Sequence, residues 1–360
     1  MNLYQTKTKF NCGIDLHGRN MYACVMDSKG KVLIHHNIKR NDFDYFLRLV
    51  DSYRSDLTVA CESTFNWYWL ADACKDNGIN FVLGHALYMK AIHGTKTKND
   101  RVDSKKIAHL LRSNMLPEAY CCSVEKRPIR DLLRRRIYFV RQRAQLLGHL
   151  SSSVQVYGQT PLSSKEKRKS DRKENISKRF TDATLQFSMK INTDLVDYYD
   201  IIIKNVEKEI LGKTRLIFSS TFNLLKTAPG VGEITALIIL YETDKINRFS
   251  TVKDFSSYSM LIPSDATSNG KKVGSQGRKM GNHYLKWAFT QAAVLGKNSN
   301  ILLKKYADKL TEKHGKCKGN AIYAHRLGIA VYYMLKNKTA FDLETFLNGK
   351  VNIKKIREVS

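Results

Sequence analysis

Along the first third of the chain the apolar residues come in short bursts, Phe10 to Leu16, Met21 to Met26 and Val32 to Ile38, separated by Gly-Arg-Asn and Ser-Lys-Gly. Connections this short allow only hairpins, so residues 9–38 are predicted to form an antiparallel three-strand meander. A helical period over Asp42 to Tyr53 leads to an apolar run at Leu57–Cys61, and a second over Trp67 to Lys75 leads to another at Ile79–Leu83. Strand–helix–strand spacing implies parallel pairing, and the sheet is therefore expected to be mixed.

Three antiparallel strands followed by a strand–helix–strand unit is the order of the ribonuclease H-like fold, although other α/β orders share it. From Asp103 onward the period turns helical. Ile129, Leu132, Leu133, Ile137, Val140, Ala144 and Leu147 make one apolar stripe, while Arg130, Arg134, Arg135, Arg136, Arg141 and Arg143 occupy other faces of the same long helix. Residues 151–179 are polar and then charge-dense, and are expected to form a mobile linker or hairpin. Leu195, Tyr198, Ile202, Val206 and Ile210 follow with heptad-like spacing, which suits a short coiled coil or a plain packed helical hairpin equally well. In Thr227-Ala-Pro-Gly-Val-Gly-Glu-Ile, Pro229 stops one helix, and Gly230 and Gly232 turn the backbone into the next. This is helix-hairpin-helix-like; its amides suit a phosphate, and a purely structural turn fits as well. Residues 264–282 read as a long Gly-, Ser- and Lys-rich loop. The expected class is an α/β N-terminal domain followed by a mainly α-helical region and C-terminal domain.

Composition narrows the partners. In 360 residues, 61 Lys and Arg stand against 33 Asp and Glu, a net charge of +28, which calls for a polyanionic partner, nucleic acid first. No uncharged apolar run approaches the roughly 18 residues a spanning helix needs, and the N-terminus lacks a signal-peptide core, so a cytoplasmic protein without membrane attachment is expected. Seven cysteines without a C-x-x-C pair fit neither a disulfide framework nor a thiolate zinc site.

The chemistry candidates are acids. Asp15 ends the first predicted strand, Glu62 ends the fourth, and Asp100 with Asp103 forms a D-x-x-D pair at a helix start, which puts both carboxylates on one helix face. If the first and fourth strands are neighbours, all four converge at one end of the sheet. Converging carboxylates repel unless hard cations lie between them, and Mg²⁺ prefers oxygen ligands; two such ions can serve phosphoryl transfer. The plainer alternative is that Asp15 and Asp100 are turn or cap residues. The ten histidines show no ligand spacing, and His17 is as free to face away from Asp15 as toward it.

At this point the motifs resemble a known family. Gly-Ile-Asp-Leu-His at 13–17, Ala-Cys-Glu-Ser-Thr at 60–64 with Trp67-Tyr-Trp behind it, Lys-Asn-Asp-Arg-Val-Asp-Ser-Lys-Lys-Ile-Ala at 98–108 and Arg-Asp-Leu-Leu-Arg-Arg-Arg at 130–136 look like the RuvC-like DEDD domain of insertion-sequence 110 family transposases. Pro-Gly-Val-Gly at 229–232, Arg-Phe-Ser at 248–250, Pro263 followed by Ser-Asn-Gly-Lys at 268–271, and Lys-Met-Gly-Asn-His-Tyr-Leu-Lys at 279–286 are similar to that family's C-terminal domain. The resemblance implies a DEDD domain over 1–115, a basic helical connector over 116–215 with its polar segment at 151–180, a serine transposase domain over 216–345 and a basic tail over 346–360. It also implies a metal tetrad of Asp15, Glu62, Asp100 and Asp103 with two Mg²⁺ per site, and a serine nucleophile forming a phosphoserine intermediate. Ser268 stands in the matching position, with Asn269 where the family commonly has glycine; Ser264 and Ser275 are the alternatives. A structured guide RNA, DNA at the element ends and target, and a homodimer or tetramer are the implied partners, in a prokaryotic, nucleoid-associated setting. Nucleic-acid contacts are expected at the six arginines above and at Gly230, Gly232, Lys271 and Lys279.

Two other readings compete. A metal-dependent RuvC-like endonuclease or junction resolvase would activate water and has no need of the serine loop. A non-catalytic binding protein has no need of all four acids. Actin-like ATPases share the core but require Gly-rich phosphate loops, which Gly18 and Gly30 alone do not supply.

Overall fold

The computed structural model describes residues 2–64, 66–92, 99–167, 172–214, 219–262, 265–268, 271–275 and 280–348, with only the backbone of 173, 177, 219, 265–268 and 271–275. The chain divides into two compact units, Met1–Val124 and Glu125–Ser360. Among the described residues no helix is long and apolar enough to cross a membrane.

The first unit is a mixed five-stranded sheet. Strands β1 (Phe10–Leu16), β2 (Asn20–Met26), β3 (Val32–Lys39), β4 (Leu57–Glu62) and β5 (Asn80–Gly84) lie in the order β3-β2-β1-β4-β5. The meander pairs antiparallel, and β1–β4 and β4–β5 pair parallel, as the connection lengths required. Side-chain parity then sorts each strand between the two faces. Cys12, Ile14 and Leu16 of β1, with Val59 and Cys61 of β4, enter one core together with Phe46 and Val50 of helix α1 (Phe43–Val50) and Leu70 and Cys74 of α2 (Tyr68–Asp76). Ala60 of β4 belongs to a second core with Ile107, Leu110 and Leu111 of α4 (Asp100–Arg112) and Met89 of α3 (Ala86–Ile92). The odd-numbered positions of β1, Gly13 and Asp15, therefore share the α4 face with Ala60 and Glu62.

Gly13 is what lets α4 lie flat on that face. A Cβ there would sit 2.2 Å from the Ala108 nitrogen and 2.3 Å from the Ser104 carbonyl oxygen, both backbone atoms that cannot rotate aside. Gly13→Ala is expected to destabilise the N-terminal unit by about 3 kcal/mol, at the upper end of ordinary overpacking. Thermal unfolding checks it; an unchanged midpoint would mean that α4 slides away at no cost.

The second unit is mostly helical. Helices α5 (Arg127–Val156) and α7 (Ala183–Thr214) form a long pair, joined through the short α6 (Arg172–Ser177). Within residues 151–179, expected as a mobile linker or hairpin, several of the described residues are packed. Leu162, Ile176 and Phe180 enter a core with Leu150, Val154 and Val196, and the buried Arg172 guanidinium bridges Asp197 at 2.7 Å and Asp200 at 3.2 Å on α7. Three apolar side chains and one paired cation anchor an otherwise polar stretch.

Helices α8 (Ser219–Lys226), α9 (Glu233–Thr243), α10 (Val252–Tyr258), α11 (His283–Gly296), α12 (Ile301–His314), α13 (Lys316–Asn337) and α14 (Leu343–Asn348) complete the unit. The buried run from Ala236 to Thr243 makes α9 its central helix, against α5, α8 and α11. Between α10 and α11 the expected loop contains a two-stranded hairpin, β6 (Asp265–Ser268) and β7 (Lys271–Ser275).

Candidate active site

Asp15 and Glu62 follow directly on the last paired residues of neighbouring parallel strands, Ile14 and Cys61, and so stand side by side on the α4 face. Asp100 and Asp103 occupy the first turn of α4, where the helix's partial positive charge favours acids, and Asn99 caps that turn by accepting from the Arg101 amide at 3.0 Å. Burial holds the Asp15 carboxyl above its ordinary value, with the charges of Asp100 and Asp103 adding to the shift and His17 opposing it. Asp103 accepts a hydrogen bond from Lys106 at 2.8 Å. The structure thus brings Asp15 and Asp100 together, puts Asp103 within electrostatic reach, and leaves Glu62 beside Asp15 on the adjacent strand.

His17, which the sequence left free to face toward Asp15 or away from it, faces the acids. Its Nε2 lies 3.3 Å from Asp15 Oδ2 and 3.3 Å from Asp100 Oδ1, and one donor atom from each of the three falls within 4.8 Å of the others. The signal was its position two residues after Asp15, which carries the ring back to the same side of the sheet. An Asp15 carboxyl held above its ordinary value chiefly by burial, with Asp100 and an imidazole nitrogen alongside, is a donor set that fits a divalent cation.

In the second unit Ser268 closes β6 and pairs in register with Lys271, which opens β7; their side chains lie outside the described residues, as do Ser264 and Lys279 entirely. Ser275 ends β7 opposite Asp265. The base of this segment is pinned. The Asn282 amide donates to the Tyr258 carbonyl at 2.5 Å, and Gly281, at φ +118°, is so close to Met260 and Tyr258 that a Cβ would meet them at 2.7 and 2.8 Å. Asn282 also caps α11 by accepting from the amides of Tyr284 and Leu285, and its Nδ2 donates to Glu242 Oε2 at 2.7 Å.

Glu242 gathers two of the arginines expected to meet nucleic acid. Its side chain is 2 % exposed and accepts from Arg130 Nε at 3.1 Å and from Arg134 Nε at 2.6 Å and Nη2 at 2.9 Å. Arg136 is bound by Glu207 at 2.6 Å, and Arg143 by Asp200 at 2.8 Å. Four of the six guanidinium groups are therefore engaged by the protein's own carboxylates, while Arg135 and Arg141 are exposed. Gly230, at φ +75°, packs so tightly on α11 that a Cβ would fall 2.1 Å from the Ala292 oxygen, a structural reason for that glycine. Gly232 is exposed at the start of α9, which has no side-chain cap; it lines a cleft of about 540 Å³ with Lys226, Ser299 and Asn300.

Comparison with known proteins places the chain among the transposases. A DEDD model described as "Transposase" matches residues 12–158, spanning the acidic cluster, and a model for the transposase IS116/IS110/IS902 family matches residues 222–307, spanning the serine hairpin. The chain belongs to the insertion sequence 110 family of transposases. It is similar to the transposase for insertion sequence element IS1111A of Coxiella burnetii (strain RSA 493 / Nine Mile phase I), 24 % identical over 279 residues that make up 76 % of this chain and 74 % of the relative. Membership in a DEDD family implies dependence on a divalent metal.

Proposed function

We propose that this transposase cuts and rejoins DNA strands through a serine intermediate, with the acidic cluster of the first unit and Ser268 of the second taking part in one reaction. The observation that supports this reading is that Asp15 and Asp100 come together beside His17, with Asp103 in the same first turn of α4 and Glu62 next to Asp15 on the adjacent strand, in a chain whose two units both match the family. In this reading the sheet order β3-β2-β1-β4-β5 is RuvC-like. Asp15, Glu62, Asp100 and Asp103 would hold two divalent cations, Mg²⁺ by the family resemblance, which would supply positive charge at the scissile phosphate and ease deprotonation of a nearby hydroxyl. Ser268 Oγ forms a bond to phosphorus and the strand's own P–O bond breaks, leaving a free strand hydroxyl that takes up the proton. Attack by a second strand's hydroxyl reverses these bonds and releases the serine. The phosphodiester energy is retained throughout, so resealing needs no ATP.

A structured guide RNA completes the reading, with Arg135, Arg141 and the Gly232 amide as backbone-phosphate contacts and the α8–α9 turn as a helix-hairpin-helix element. Homo-oligomerisation is supported by an unpartnered stripe on α7. Phe187, Ile191, Leu195, Tyr198 and Ile201 are exposed on the face opposite Met189, Val196, Ile203 and Ile210, which are buried. The net charge of +28 fits a protein held on nucleic acid in a prokaryotic cytoplasm.

Substituting Asp15→Asn, Glu62→Gln, Asp100→Asn or Asp103→Asn in the full-length protein tests the core of this proposal. Each is expected to slow strand cleavage by about 10³-fold or more, since loss of a metal ligand removes several kcal/mol of charge stabilisation, while DNA binding persists. Full cleavage by any two of the four would overturn the assignment.

A further inference from the structure

We infer that His17 is itself a ligand of the cation held by Asp15 and Asp100, and that its imidazole shifts the site's preference from Mg²⁺ toward a borderline first-row dication such as Mn²⁺. The inference rests on the metal-site reading of the carboxylates and goes beyond the four acids.

The ring has two roles to weigh, hydrogen-bond partner of the carboxylates and co-ligand of an ion. If His17 were a protonated partner of its neighbours, its N–H would make a charge-assisted hydrogen bond, for which about 2.7–2.9 Å is usual. Both separations are 3.3 Å, long for such a bond although the one to Asp15 is within hydrogen-bond reach, and Nε2 is equidistant from one oxygen of Asp15 and one of Asp100. Ligand atoms bound at about 2.1 Å to one ion stand roughly 3.0 Å apart in octahedral and 3.4 Å apart in tetrahedral geometry. The two His17 separations fall in that range, and all three donor atoms lie within 4.8 Å of one another.

The rest of the residue is held as a ligand's would be. The Asn41 and Asn66 side-chain amides both donate to the His17 carbonyl, at 3.1 and 3.0 Å, and the His17 amide donates to the Asn20 carbonyl at 2.9 Å. These three contacts fix the backbone at the end of β1 and so limit where the ring can swing. Core filling does not account for the ring, because 53 % of the side chain is exposed. Mg²⁺ takes oxygen ligands almost to the exclusion of nitrogen, whereas first-row ions accept imidazole readily, so one nitrogen donor changes selectivity.

Titrating the full-length protein with Mn²⁺ and with Mg²⁺, following free Mn²⁺ by electron paramagnetic resonance and Mg²⁺ by its competition, tests this without any turnover. His17→Ala and His17→Gln are each expected to weaken Mn²⁺ binding about tenfold and to change Mg²⁺ binding less than about twofold. The spin-echo signal of bound Mn²⁺ should carry nitrogen modulation in the wild type and lose it in both variants. Unchanged Mn²⁺ affinity in the two variants, or a wild type without nitrogen modulation, would overturn the role of His17 while leaving the carboxylate site standing. Asp15→Asn distinguishes the deeper failure: if it binds Mn²⁺ as the wild type does, or if the wild type binds none at millimolar concentration, the metal-site reading falls and this inference with it.

Discussion

Glu242→Gln is expected to destabilise the C-terminal unit by about 3–5 kcal/mol, the range for removing one charge of a buried pair. The carboxylate lost is the one that Arg130 and Arg134 share and that Asn282 donates to, so a single substitution disturbs α5, α9 and the start of α11 at once. Burial by itself would raise the Glu242 carboxyl; the hydrogen bonds from Arg134 and the charges of Arg130 and Arg134 outweigh it and hold the group below its ordinary value of 4.5. With the folded value depressed, the contribution is fully present above the ordinary glutamate range and is lost as pH falls through the folded value. Wild-type stability should therefore decline as pH drops below about 4.5, and the Gln variant should show a shallower decline over the same window. Denaturant unfolding at several pH values reads both effects. A variant as stable as the wild type, with an identical acid limb, would mean that the cluster is held by packing alone.

That cluster also marks where the sequence was hard to read. A run of arginines beside an apolar stripe reads as a solvated or nucleic-acid-binding face, because nothing local reveals a distant counter-charge. The clue lay elsewhere, in an acid at the end of Leu-Ile-Ile-Leu-Tyr-Glu, since a glutamate inside a buried helix must be paired. The sheet was easier. Connections too short for anything but hairpins left no other arrangement for residues 9–38, and the helices between later strands required parallel pairing. Even the site face was visible as parity, since Gly13 and Asp15 alternate with Cys12, Ile14 and Leu16. What hid it was that both faces of β1 are covered, so apolar residues do not alternate cleanly with polar ones. The direction of His17 stayed open because its second partner, Asp100, arrives only through the docking of α4 on Gly13. The hairpin at Ser268 escaped for a different reason: Asn269-Gly270 is a strong turn signal, but the flanking residues Ala-Thr-Ser and Lys-Lys-Val are too short and polar to announce strands.

Ser268→Ala should leave DNA binding and metal binding intact and abolish both a covalent protein–DNA adduct and recombinant product. Loss of a nucleophile that works in concert with its activating groups typically costs about 10⁴-fold or more in rate, beyond what any surface hydroxyl would contribute. The wild type, quenched in denaturant during reaction, should retain DNA on the protein through the Ser268 oxygen, and the site of attachment can be read by mass spectrometry of the digested adduct. Ser264→Ala and Ser275→Ala serve as the comparison. Ser275 pairs with Asp265 at the far end of the hairpin from Ser268, so one substitution alone should matter if a single defined hydroxyl attacks phosphorus. A protein that activates water behaves otherwise: strand nicking persists in Ser268→Ala, and the wild type never forms an adduct. Retained nicking without an adduct would therefore replace the serine mechanism with simple hydrolysis. Adduct formation that survives Ser268→Ala but not Ser264→Ala or Ser275→Ala would keep the serine chemistry and move the nucleophile to that serine.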